Sequence, residues 1–136
     1  MTETRGERNK NPGNLDRNQI IWQGLVQDSR EPRFCVFDTP ENVIRALCKV
    51  LLSYYRKHHL NTVAQIINRW APPSENDSGA YVNHVAHILG VGEDAPINVY
   101  DPMILELLTR AIIQHENGRC LYDDATIVKA VDSALA

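Results

Sequence analysis

From Thr39 onward the chain repeats one signal five times: a short polar side chain able to cap a helix, followed by apolar residues at helical spacing. The first start is "DTPEN", with Thr39 as cap, Pro40 at the first helical position and Glu41 in the first turn. Val43, Leu47, Val50, Leu51 and Tyr54 then recur every three or four residues, which predicts a helix to about Lys57 before "HHLN" breaks it. Asn61 or Thr62 opens a shorter helix with Val63, Ile66, Ile67 and Trp70 inward, and Pro72 and Pro73 stop it. Asp77 or Ser78 opens a third, with Tyr81, Val82, Val85 and Leu89 on one face and Gly90 at its end. "VGEDAPINVY" connects it to a fourth, where Asp101 and Pro102 repeat the cap-plus-proline start. Ile104, Leu107, Leu108, Ala111 and Ile112 point inward there, up to Asn117-Gly118. Asp123 caps the last, with Ile127, Val128, Val131 and Leu135 inward.

The segment before Thr39 reads differently. Its first 19 residues carry four basic side chains, several asparagines and the turn "NPGN", with no apolar period, which reads as an irregular arm. Ile20 to Val26 and Arg33 to Phe37 are short runs rich in β-branched and aromatic residues, separated by "QDSREP", and they predict a small hairpin. The expected fold class is therefore mainly α: about five helices and a small β-hairpin near the N-terminus. The expected organisation is an arm over residues 1–19, packed on one domain over residues 20–136.

Size and composition narrow the function classes. At 136 residues one real core can be buried, and 43% hydrophobic with 23% charged residues is ordinary for a globular protein. A net charge of -3 argues against a dedicated nucleic-acid binder, because such domains carry a basic footprint. From Tyr100 onward three basic residues (Arg110, Arg119, Lys129) face six acids, a balance that repels phosphates and tolerates sugars or peptides. Cys35, Cys48 and Cys120 are odd in number and widely spaced, so free thiols are expected rather than disulfides or a zinc site. Neither a metal nor an organic cofactor is expected. The polar N-terminus and the lack of a long apolar run predict a chain made in a cytoplasm without a signal peptide and not inserted in a membrane.

Few residues suggest chemistry by themselves. Glu116, in "AIIQHENG", falls on the last turn of a helix, where the dipole and apolar neighbours such as Ile112 and Ile113 favour a protonated carboxyl. Such a group can protonate a glycosidic oxygen. The same residues also read as an ordinary helix end, with His115 before an Asn-Gly stop, and the pattern leaves both readings open. In "WAPPSENDSGAY" paired prolines fix a loop bearing Glu75, Asn76 and Asp77, which suits a second acid/base group or sugar contacts, or simply a cap and a solvated glutamate. Asn14 lies in the "NPGN" turn, and Glu7 precedes it as a further carboxylate. His84 and His87 stand three apart on one helix without an identifiable third ligand, and read as surface or interface histidines.

Several stretches taken together resemble a known family. "RGERNKNPGNL", "WQGL", "FCVFDTPENVIRAL", "YVNHVAHILGV", "AIIQHENG" and above all "NTVAQIINRWAPPSEN" resemble a family of phage and prophage virion structural proteins, over nearly the whole chain from Arg5 to Tyr122. A second likeness concerns chemistry. The order of "NPGNL", "WQG" and "FDTPENVIRAL" is similar to that in muramidases of the flagellar-rod type. "RAIIQHENG" looks like the acid-bearing helix end of lysozymes and lytic transglycosylases, with Asn117 where serine is usual. In those enzymes the acid helix comes first; here it comes last, as a circular permutation would place it. The resemblance implies a lysozyme-like domain that cleaves peptidoglycan glycan strands as a muramidase or lytic transglycosylase. Glu116 would be its general acid, Glu75 the first choice and Glu7 the second for another carboxylate, and Asn14, Asn76, Tyr81 and Tyr122 would line a sugar groove. The protein would be virion-associated or delivered to the periplasm and cell wall. The alternative it implies is a non-catalytic virion structural or assembly protein that keeps the fold, with other virion proteins or further copies of itself as partners. A host-factor or nucleic-acid adaptor is a third reading, and the charge balance disfavours it.

Overall fold

Five helices make up most of what a computed structural model describes, namely residues 22–26, 37–72 and 77–136. They are α1 (Pro40–His58), α2 (Val63–Trp70), α3 (Ser78–Leu89), α4 (Pro102–Asn117) and α5 (Asp124–Leu135). Each begins where a side chain accepts a hydrogen bond from an otherwise orphaned first-turn N–H. Thr39 accepts from Asn42 at 3.3 Å and Thr62 from Gln65 at 3.2 Å. Asp77 accepts from Ala80 at 3.2 Å, Asp101 from Met103 at 3.0 Å, and Asp123 from Thr126 at 2.8 Å. The two open choices thus fall to Thr62 and Asp77. Asn61 and Ser78 serve nearby: the Asn61 N–H donates to the Gln65 side chain, and the Ser78 hydroxyl donates to the Ala71 carbonyl at 2.7 Å.

The helix ends follow the same logic. Gly90 and Gly118 stop α3 and α4 with φ of 70° and 75°. α1 stops at His59, which takes φ 56° without being glycine.

One core joins all five helices. α1 packs most extensively on α5, while α4 lies against α3, α5 and α1, and α2 against α3 and α1. Ile44, Leu51, Ile66, Ile67, Leu105, Leu108 and Ile112 are fully enclosed. The loop between α3 and α4 is tied back to the start of α2. Ile97 N–H donates to Asn61 O at 2.8 Å, Ala64 N–H donates to Glu93 O at 3.0 Å, and the side chains of Ile97 and Val99 are buried.

Two inward faces differ from the sequence pattern. On α5, Val128 is 42% exposed, and the buried face is Ile127, Ala130, Val131 and Ala134. A pattern built on bulky residues passes over alanines, yet Ala130 and Ala134, with Ala46 on α1, let these two helices approach closely. On α4, Ile104 and Leu107 are only half-buried, while Leu105, Thr109 and Ile113 join Leu108, Ala111 and Ile112 in the interior. With three helical neighbours, α4 must bury a broader stripe than one face supplies.

The hairpin has one trace among the described residues, an antiparallel bridge between Leu25 and Phe37, and no strand. The Asp38 N–H also donates to Gly24 O at 2.8 Å. Gly24, at φ 79°, has no room for a Cβ beside Asp38 and Asn42. The remainder of both apolar runs, and the arm expected over residues 1–19, lie outside the described residues. Among those described, no helix is long and apolar enough to cross a membrane.

Candidate functional site

Asp77, Tyr81 and His84 follow one another by four and three residues, which sets them on one face of α3. α4 packs against α3, and its last turn carries His115 and Glu116. Between the two helices a polar and aromatic cluster forms. The Tyr81 hydroxyl donates to Glu116 Oε1 at 3.1 Å. The His115 ring lies on the Tyr81 ring, centroids 3.7 Å apart and planes 21° from parallel. Nδ1 of His84 meets Nδ1 of His115 at 2.9 Å, so one of the two nitrogens carries the shared proton. Trp70, at the end of α2, is half-buried near the Tyr81 hydroxyl.

Burial is graded across the cluster. Tyr81 is 1% exposed, whereas Trp70, His84, His115 and Glu116 are half-buried and reach the surface. Ile112 and Ile113, on the preceding turn of α4, are fully buried. Asn117 turns its amide back to donate to the Ile113 carbonyl at 2.9 Å, one turn earlier, before Gly118 turns the chain away.

Electrostatics follow from that packing. Burial first, then the negative charge of Glu116, pushes the Tyr81 phenol far from ionisation, so it stays a neutral donor. Burial, and then the neighbouring His84, lower the pKa of His115, against the pull of Asp77. His115 is therefore biased toward the neutral imidazole. In the Tyr81 contact Glu116 accepts through Oε1; acid catalysis would require a proton on the carboxyl, which can accept through one oxygen while donating through the other.

Of the sequence-derived site residues, Glu116 and Tyr81 are brought into direct contact. Tyr81 supports Glu116 from within, and with one ring face under His115 it is not open to stack on a sugar. Tyr122 is half-buried and packs against the core from the segment between α4 and α5. Glu7, Asn14, Glu75 and Asn76 lie outside the described residues. His87 is exposed. Among the described residues, no three His, Cys, Asp or Glu side chains converge as a metal site would require.

Sequence reasoning missed His115 and Trp70 as members of the cluster. The spacing of Asp77, Tyr81 and His84 was a usable signal that a polar stripe runs along α3. Its partner could not be read, because the phase of α4 against α3 is set across a long loop.

Fold and site define a small helical protein braced by a tyrosine–glutamate–histidine cluster at one end of a helix pair. No family model matches the chain. It is 35% identical over 133 residues to Protein P5 of Pseudoalteromonas phage PM2, an alignment covering 94% of this chain and 80% of that protein. The chain belongs to the family of this phage protein.

Proposed function

We propose that the chain is a virion structural or assembly protein, and that its polar cluster braces two helices of the particle component without cleaving a substrate. The observation that carries this reading is the hydrogen bond from the enclosed Tyr81 hydroxyl to Glu116, which ties the last turn of α4 to α3. Membership of a phage protein family supports the particle as the setting. Two measurements test it together: clearing of purified cell-wall sacculi, and mass spectrometry of gradient-purified particles. The structural reading expects the chain in particles and no clearing. Clearing by the wild type that Glu116→Gln abolishes would overturn it.

A second reading is favoured by a separate observation. Glu116, His115, His84 and Trp70 all reach the surface at one helix end, where a carboxyl beside aromatic rings suits a sugar chain. In this reading a lysozyme-like domain, permuted in chain order, cleaves peptidoglycan glycan strands. Glu116 is its acid, Glu75 or Glu7 a further carboxylate, and Asn14, Asn76 and Tyr122 contact the sugar. It expects the opposite result in the sacculus assay, so one experiment separates the two.

A further inference from the structure

The contact between His84 and His115 has a property that neither reading above uses. Two imidazole Nδ1 atoms at 2.9 Å form a hydrogen bond only while one of them lacks a proton. With both rings neutral, one ring in its Nδ1–H tautomer donates to the other. With a single proton added, the same bond persists and is charge-assisted. With two protons, two N–H donors and two positive charges face each other, and the contact cannot survive.

The position of the pair gives this titration a structural consequence. His84 belongs to the middle of α3 and His115 to the last turn of α4, so the bond spans the seam between the helices. The groups facing the pair are identifiable on each packed element. From α3 come the Asp77 carboxylate, which favours a proton on His115, and the neutral Tyr81 phenol stacked on the His115 ring. From α4 comes Glu116, held through the Tyr81 hydroxyl. From α2 comes the uncharged indole of Trp70, near the same phenol oxygen. The local negative charge therefore accommodates a first proton. A second one meets a like charge at hydrogen-bond distance on a partly enclosed ring.

We propose that His84 and His115 form a protonation latch between α3 and α4, closed while at least one imidazole is neutral and released when both are protonated. On release, the last turn of α4 loses its tie to α3, and the Tyr81–Glu116 contact beside it loosens. The device is independent of whether the cluster is catalytic.

The sign of the stability effect follows from His115, whose pKa is lowered in the folded chain. Its neutral form is favoured by folding, so its contribution is fully present above the ordinary histidine range and is lost as the pH falls through that range and below it.

The test is a histidine proton NMR titration of the full chain from about pH 8 to about pH 5, with amide exchange protection measured across α3 and α4. In the wild type, His84 and His115 should titrate as a coupled pair. In His84→Asn, which keeps a hydrogen-bonding side chain but cannot take a proton, the His115 titration should move to higher pH. Between those limits the seam amides should lose protection in the wild type and keep it in His84→Asn. Two independent single-site curves in the wild type would overturn the proposal, and that reading needs no variant. So would a His115 titration unchanged by His84→Asn, or equal loss of protection in both proteins.

Discussion

Replacing Tyr81 by phenylalanine isolates the contact on which the site is built. The ring is 1% exposed and stacked under His115, and phenylalanine keeps that packing while removing only the hydroxyl. One bond is lost, the one donated to Glu116 at 3.1 Å. A hydrogen bond to a charged group contributes about 1.5–3 kcal/mol where water cannot replace it. Here Glu116 is half-buried and regains water, so the net loss should be about 1–2 kcal/mol. For a domain of this size that lowers the melting temperature by roughly 4–8 °C. Urea unfolding checks the figure, with an unchanged m-value showing that only stability moved. A double-mutant cycle with Glu116→Ala then isolates the pairwise part, which should be about 1 kcal/mol. If Tyr81→Phe unfolds within about 0.3 kcal/mol of the wild type, the phenol–carboxylate bond contributes nothing. The bracing role assigned to the cluster fails with it.

Three further outcomes follow from other parts of the fold. Cys48 is buried, its thiol pushed up to about 11 mainly by desolvation and bonded to Thr109 at 3.3 Å. Peptide mapping after brief alkylation near neutral pH should therefore label the half-buried Cys120 and reach Cys48 only on unfolding. Thr62→Ala removes the cap of the eight-residue α2 and should lower stability by about 1 kcal/mol, read by urea unfolding. His59→Gly relieves a left-handed residue at the end of α1 and should raise stability by about 0.5–1 kcal/mol, after allowing for the looser unfolded chain. A loss in thermal unfolding would refute that account of the helix end.

The helices were legible because their starts are written locally. Thr39, Asp101 and Asp123 each cap within three residues of themselves, and glycine at 90 and 118 needs no distant partner to end a helix. What failed was anything requiring a second element. Val128 reads as apolar and therefore inward, yet it is exposed while Ala130 and Ala134 are buried, and the small size of those alanines is informative only once the neighbouring helix is known. The site divides in the same way. Glu116 is visible as a carboxylate at a helix end, and Tyr81 as an aromatic on an inward face. Their hydrogen bond joins residues 35 apart in sequence, and the His84–His115 bond joins residues 31 apart. No periodicity records the rotation of α4 about its axis that makes both bonds possible.

That division also determines how the functional tests can be interpreted. The apolar interior runs through all five helices, with side chains such as Leu51, Ile67, Val85, Leu108 and Ile127 wholly enclosed. The polar cluster sits instead where α2, α3 and the last turn of α4 meet, and four of its five members reach solvent. Removing a hydroxyl or a charge there leaves the enclosed apolar surface, which dominates folding free energy, unchanged. Glu116→Gln and His84→Asn should accordingly keep the native circular dichroism spectrum and cooperative unfolding. A change in sacculus clearing or in particle incorporation would then report on the cluster itself. If either variant instead lost cooperative unfolding, the cluster would be part of the foundation of the fold, and a loss of function in that variant would carry no information about chemistry.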